Sequence, residues 1–197
     1  MHLLFIKHMV CPRCVRAVEE VFNRNGIAYL EVLLGRVRTK DPLSSEKVTI
    51  IENELRHLGF ELLKSRDAQR IESVKNALIK LVHEGDIPPS FSLSGYLGGC
   101  LAENYTVLSH LFSGLEGITI EKYFIQLKVE KVKEWLSYDE TTLSEASYRL
   151  GYSSVQHLSA QFTKVTGLTP SKYKKLSFKP RVGLDNLSSP TFVQGLK

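Results

Sequence analysis

Two sets of side chains in this 197-residue chain have the types and spacing to do chemistry. The first is a pair of thiols, Cys11 and Cys14, separated by Pro12 and Arg13. With Cys14 at a helix start, the dipole favours thiolate and Arg13 pushes the same way. Two soft thiolates so placed suit Cu(I) or, with further ligands, Zn(II), and thiols in such a loop can also be inert. The second set lies in residues 141–175, TTLSEASYRLGYSSVQHLSAQFTKVTGLTPSKYKK. There Gln156, Ser159, Ala160 and Thr163 share one side of a helix whose other side carries Leu158, Phe162 and Val165 at i, i+4 and i+7. A short, polar, uncharged face suits a helix lying in a DNA major groove, and an ordinary solvated amphipathic helix shows the same pattern. The chain has no phosphate-cradling Gly loop, nucleophile elbow or His–Glu helix motif, so an enzyme is not expected.

The flanking residues spell the elements that must position that face. Thr142 with Glu145 makes a capping box that starts one short helix, Gly151 allows the turn, and Ser153 with Gln156 makes a second box that starts the next. The arrangement is duplicated. Residues 108–123 (LSHLFSGLEGITIEKY) align with 158–173 at an offset of 50, and Leu108/Leu158, Ser109/Ser159, Phe112/Phe162, Gly117/Gly167, Thr119/Thr169, Lys122/Lys172 and Tyr123/Tyr173 coincide. In the first copy Leu108, Leu111, Phe112 and Leu115 form the expected buried stripe, leaving Thr106, Ser109, His110 and Ser113 outward. Residues 120–136 between the copies read as one helix of ~17 residues, ~25 Å long. It could hold two outward helices about one DNA turn apart, ~34 Å.

On these motifs, residues 90–176 resemble the double helix–turn–helix DNA-binding domain of AraC/XylS-type bacterial transcription regulators. The residues that carry the resemblance are Gly151-Tyr152, Ser153-Ser154, Phe162 and Gly167-Leu168-Thr169-Pro170-Ser171-Lys172-Tyr173. It implies sequence-specific binding to double-stranded DNA. The implied groove-facing residues are Tyr105, Thr106, Ser109 and His110 in the first unit (about 93–115), and Val155, Gln156, His157, Ser159 and Ala160 in the second (about 142–165). Thr163 and Lys164 extend the second set. The chain departs from the family pattern at Ala102-Glu103, where Gly and an aromatic are usual, at Ser113-Gly114, where basic residues are usual, and at Ala160, where many members carry Arg.

Residues 1–64 have a different rhythm. Strand, helix, two strands, helix and strand are expected at Leu3–Lys7, Cys14–Asn25, Ile27–Leu34, Arg36–Lys40, from Glu46, and Phe60–Leu63. The fold class expected is therefore α+β: an N-terminal βαββαβ ferredoxin-like domain, then an all-α double helix–turn–helix domain. The loop Met9-Val10-Cys11-Pro12-Arg13-Cys14 resembles the Met-x-Cys-x-x-Cys loop of heavy-metal-associated domains, with His8 where Gly usually precedes the Met. That resemblance implies Cu(I) or Zn(II) as the metal, with Met9 read as a core residue rather than a ligand.

Residues 65–86 are expected as a connecting amphipathic helix with Ile71, Val74, Leu78, Leu81 and Val82 on one stripe. The stripe is read as packing on the first helix–turn–helix unit, and a homodimer through 66–84 is the alternative. The second domain is expected over 87–180 and a flexible tail over 181–197. The net charge of +5 is uneven: residues 1–127 carry 15 basic and 15 acidic side chains, and residues 128–181 carry 10 basic against 5 acidic. The excess falls on the segment assigned to DNA, where phosphates would use it. No stretch approaches ~18 uninterrupted apolar residues, so a cytoplasmic protein with no membrane partner and reduced thiols is expected.

Overall fold

The computed structural model describes residues 2–187; the expected tail from 188 to 197 lies outside the described residues. The chain divides into two compact units, residues 1–76 and 77–197.

The first unit runs β1 (His2–Lys7), α1 (Pro12–Arg24), β2 (Glu31–Leu33), β3 (Arg36–Thr39), α2 (Ser45–His57), β4 (Glu61–Leu63) and the first half of α3 (Arg66–Glu84). Its four strands form one antiparallel sheet in the order β2-β3-β1-β4, with Phe5 opposite Arg36 on one side and Leu63 on the other. Alternation along β1 sends Leu4 and Ile6 into the core, where they meet Val18, Val21 and Phe22 of α1 and Ile51 and Leu55 of α2. One local expectation fails. Residues 27–30 form no strand: β2 covers only Glu31–Leu33, which pairs with residues 36–38 of β3. Leu58 is exposed at the end of α2, where the helix stops at His57 and Gly59 turns the chain at φ 83°.

The helix α3 does not stand apart as a connector. Its first half belongs to the first unit, where the Gln69 side chain donates to the Leu63 carbonyl at 2.8 Å. Its second half belongs to the second unit, where the Tyr96 hydroxyl donates to the Ala77 carbonyl at 3.1 Å. Ile71, Val74, Leu78, Leu81 and Val82 are all buried.

The second unit continues with α4 (Leu93–Leu101), α5 (Tyr105–Glu116), α6 (Ile120–Tyr138), α7 (Leu143–Arg149), α8 (Val155–Thr166), α9 (Pro170–Lys174) and a 3-10 turn at Leu184–Asn186. The 50-residue repeat is a repeat of structure. The helices α5 and α8 end at Gly117 and Gly167 with φ 69° and 74°. Two residues on, Thr119 and Thr169 cap α6 and α9 by accepting from the backbone N–H of Lys122 and Lys172. Phe112 meets Tyr123 with ring centroids 5.5 Å apart, and Phe162 meets Tyr173 at 5.6 Å. Residues 181–187, expected within the flexible tail, are held. Arg181 pairs with Glu134 at 2.8 Å, the Val182 N–H donates to Glu130 at 3.2 Å, and Leu187 is buried.

Ala102 closes α4 at φ 53°, ψ 36°, a left-handed position at which Cβ is costly and Gly is favoured. Ala102→Gly should therefore raise stability by about 0.5–1 kcal/mol, the relief of the left-handed strain exceeding the extra freedom of the unfolded glycine. Urea unfolding midpoints of the two proteins check this; an unchanged or lower midpoint contradicts it.

Candidate nucleic-acid interface

Each helix–turn–helix unit is built around a short turn with a side-chain cap. In the second unit Thr142 caps α7 by accepting from the Glu145 N–H at 3.2 Å, as the sequence predicts. Gly151 then turns at φ 67°; a Cβ there would lie 2.9 Å from both Ile87 Cγ2 and the Ile87 carbonyl, so only glycine fits. The cap of α8 is Ser154, which accepts from the His157 N–H at 3.1 Å, and not Ser153. Ser153 instead pairs its hydroxyl with His157 Nδ1 at 3.1 Å. The two adjacent serines both fit the local capping pattern, and the cap lies one residue later than the expected Ser153. In the first unit the cap of α5 is Asn104, accepting from the Thr106 N–H at 2.8 Å. An Asn two residues before Thr106, the first outward position, was the available signal for it.

The outward residues of the two helices are not equivalent in what they have free. On α8, Gln156, His157, Ala160 and Lys164 are exposed, and Val155, Ser159 and Thr163 are half-buried. The Thr163 hydroxyl donates to the Ser159 carbonyl at 2.8 Å, and His157 sits edge-on to Tyr152 with centroids 5.5 Å apart. On α5, Thr106 and His110 are exposed and Ser109 is half-buried. The Tyr105 hydroxyl donates to the Glu121 carboxylate. Burial and that carboxylate together push the phenol well above its ordinary pKa, and the hydrogen bond from Tyr105 holds Glu121 below its own. Tyr105 is thus committed to Glu121. Leu115, expected in the buried stripe, is 57% exposed, because the inward side of α5 is filled by Leu108 and Phe112 alone. On α8, Val165 is likewise only half-buried.

Much of the basic excess is engaged inside the unit. Lys133 is buried against Glu130 at 2.5 Å, Lys131 pairs with Glu134 at 2.7 Å, and Lys174 pairs with Asp139 at 2.5 Å. Arg149 lies over Trp135 at 4.6 Å and donates to the Gly85 carbonyl at 3.3 Å. Lys128 lies half-buried between Tyr152, 4.1 Å from the ring centroid, and Phe124, at 5.0 Å, with the Leu150 carbonyl at 3.5 Å. Lys122, Lys164, Lys172 and Lys175 are exposed. Lys122 and Lys172 occupy the same place in the two copies, an equivalence legible in the repeat. They sit in the first turns of α6 and α9, beside the C-terminal ends of α5 and α8.

The thiols lie elsewhere, at the start of α1. Cys11 occupies the N-cap position, and its sulfur is 3.4 Å from that of Cys14. Burial raises the Cys11 thiol pKa, but the Cys14 N–H and side chain, with Arg13, outweigh it and hold the thiol below its ordinary value. Burial pushes Cys14 up. Met9 is fully buried. Among the described residues no three His, Cys, Asp or Glu side chains come together in a way that would hold a metal, so the four-ligand set of Zn(II) does not fit. The pair alone is a donor set for a soft two-coordinate ion such as Cu(I).

The family model described as a helix-turn-helix domain matches residues 101–176. The chain is similar to the HTH-type transcriptional activator RhaR of Salmonella dublin, 27% identical over 142 residues, and to RhaR of Salmonella schwarzengrund, 26% identical over 142 residues. In each case the match covers 70% of this chain and 49% of the relative, so the chain spans about half the length of these curated relatives. Residues 101–176 of the chain thus carry a helix-turn-helix domain. The C-terminal domain of AraT, a response regulator from Geobacillus stearothermophilus, matches 60% of this chain and 91% of its own, with a TM-score of 0.49 and 19% identity. The family match begins at Leu101, the last residue of α4, and takes in both α5 and α8. Among the described residues no helix is long and apolar enough to cross a membrane.

Lys128 gives the second unit a pH signature. Burial holds its ammonium down to about 8, against 10.5 for an ordinary lysine. The folded chain releases this proton at lower pH than the unfolded chain, so stability rises as pH goes from about 8 to about 10.5. The cost of the buried charge at pH 7 is on the order of 3 kcal/mol before the two ring faces offset part of it. Lys128→Met should match the wild type or exceed it in stability at pH 7, and should lack the gain seen in the wild type between pH 7 and 9.5. Unfolding midpoints at those two pH values check this, and parallel behaviour of the two proteins contradicts it.

Proposed function

We propose that the chain is a cytoplasmic, sequence-specific transcription regulator whose α5 and α8 enter neighbouring major-groove segments of double-stranded DNA. The observation that carries this reading is the repeated unit: two helices, each with a short polar outer face, end in the same Gly-x-Thr cap and pack on α6. At 19 residues α6 is ~28 Å long, close to the ~34 Å of one DNA turn. Because one chain carries both units, an asymmetric site can be read by a monomer, without a palindrome. No cofactor is required for this activity. The N-terminal unit is read as a ferredoxin-like, heavy-metal-associated-like domain, supported by its βαββαβ element order, its sheet order β2-β3-β1-β4 and the Cys11-x-x-Cys14 loop.

Base readout falls to the residues that are exposed and not otherwise engaged, Gln156 on α8 and Thr106 and His110 on α5. The amide of Gln156 offers the donor–acceptor pair that reads adenine N7 and N6, whereas a carboxylate there loses the donor and meets negative potential. Selection of bound DNA from a random pool should enrich one extended motif. Gln156→Glu should lose preference at one position of it, at about 1–3 kcal/mol. Tyr105→Phe should leave the motif unchanged, because that hydroxyl serves Glu121. Absence of any enriched motif would sink the reading.

Phosphate contacts fall to Lys122, Lys164, Lys172 and Lys175. Four such contacts predict that log K falls with log salt at a slope of about −3.5, and each Lys→Ala at these positions should flatten it by about 0.9. Lys174→Ala should leave the slope unchanged, since Lys174 is held by Asp139. Filter binding from low to moderate salt measures both; a slope unaffected by all four exposed positions contradicts the assignment.

A further inference from the structure

The first unit holds two thiols that DNA binding does not use. Cys11 is the N-cap residue of α1, with φ −155° and ψ 166°. Cys14 lies in the first turn, its N–H bonded to the Cys11 carbonyl at 3.0 Å. Pro12 at the first helical position fixes the turn that brings the two residues together. The sulfurs are 3.4 Å apart, in contact but not bonded, whereas a disulfide bond is about 2.05 Å. The two thiols face different surroundings. Cys14 packs against the core formed by α1, α2 and the sheet, whereas Cys11 lies outside that packing. The helix N-terminus and Arg13 favour negative charge at the outer sulfur.

We propose that Cys11 and Cys14 form a reversible redox site that exchanges with the disulfide of a small thiol, Cys11 attacking and Cys14 resolving. In the first step the Cys11 thiolate attacks one sulfur of the small disulfide RSSR, forming a mixed disulfide and releasing RS⁻. In the second, the Cys14 thiolate attacks the Cys11 sulfur, closes the intramolecular disulfide and releases the second RS⁻. The dithiol loses two electrons and two protons, and RSSR gains them as two RSH. A vicinal dithiol of this kind in a reducing compartment is open to redox sensing rather than structural bridging. The third cysteine, Cys100, is exposed and lies in the other unit, so it must be removed from any assay of the pair.

The test uses the full chain carrying Cys100→Ser, equilibrated with mixtures of reduced and oxidised glutathione in the presence of a metal chelator, then acid-quenched, alkylated and weighed by mass spectrometry. The expected result is one two-electron transition to a monomer that has lost two hydrogens and takes no alkylating label. Adding Cys14→Ser should trap a single glutathione on Cys11. Adding Cys11→Ser should remove the intramolecular disulfide and slow glutathione uptake at Cys14 at least several-fold. Circular dichroism confirms that each variant is folded before it is scored. A pair that stays fully alkylatable under the most oxidising mixture, or that oxidises only between chains, would overturn the proposal. So would equal rates at the two single thiols. None of these readouts involves DNA, so failure here leaves the DNA reading standing, and the reverse holds too.

Discussion

The second unit depends on α6 being buried on nearly every side. Ile120, Tyr123, Phe124, Leu127, Val129, Val132, Trp135 and Leu136 are all inside, and so are Gln126, Glu130 and Lys133. A helix wrapped so completely cannot keep a solvated polar face, and its two interior charges answer each other: Lys133 and Glu130 meet at 2.5 Å with almost no exposure. Removing either partner would strand a buried charge, at a cost of about 3–5 kcal/mol. The second carboxylate oxygen of Glu130 takes the Val182 N–H, which draws residues 181–187 onto the unit. Burial of α6 thus fixes where α5 and α8 can attach. The pairing of charges on α6 is what makes that burial affordable.

The duplicated caps show how local chemistry is made to serve that constraint. Gly117 and Gly167 reverse the chain in the left-handed region, and Thr119 and Thr169 start the next helices with the same hydrogen bond. Phe112–Tyr123 and Phe162–Tyr173 then lock each helix to its successor at matching distances. The two turns differ. Gly151 is pressed against Ile87, so the second unit closes on the chain that enters the domain, whereas the first closes at Ala102 with a strained, exposed residue. The second unit is the more tightly determined of the two.

These features were unequally legible in the sequence. The repeat, the helices of both units and the strand–helix alternation of the first 64 residues could be read, because caps, glycines and apolar periodicity are local signals. The exact α8 cap could not, since Ser153 and Ser154 both satisfy the local rule. The exposure of Leu115 and Leu58 was hidden for a different reason. Periodicity gives the inward direction of a helix, but whether a partner lies there near its last turn is a tertiary matter. Docking of residues 181–187 depends on Glu130 and Glu134, some 50 residues earlier, and no pattern within the tail announces it.

Charge was the most misleading signal in the sequence. Ten basic residues between 128 and 181 invite a count of phosphate contacts, yet six of them hold the unit together: Lys128, Lys131, Lys133, Arg149, Lys174 and Arg181. The lysines left exposed flank the C-terminal ends of α5 and α8 and the surface of α8. The helix α5 itself carries no basic residue and exposes Val107 and Leu115. Electrostatic attachment is therefore concentrated on the second unit, and α5 is left with the polar groups Thr106 and His110, which can read shape and base edges. Two halves built on one repeat have in this way become chemically unequal. For a chain that carries both halves itself, that inequality favours an asymmetric site in one orientation.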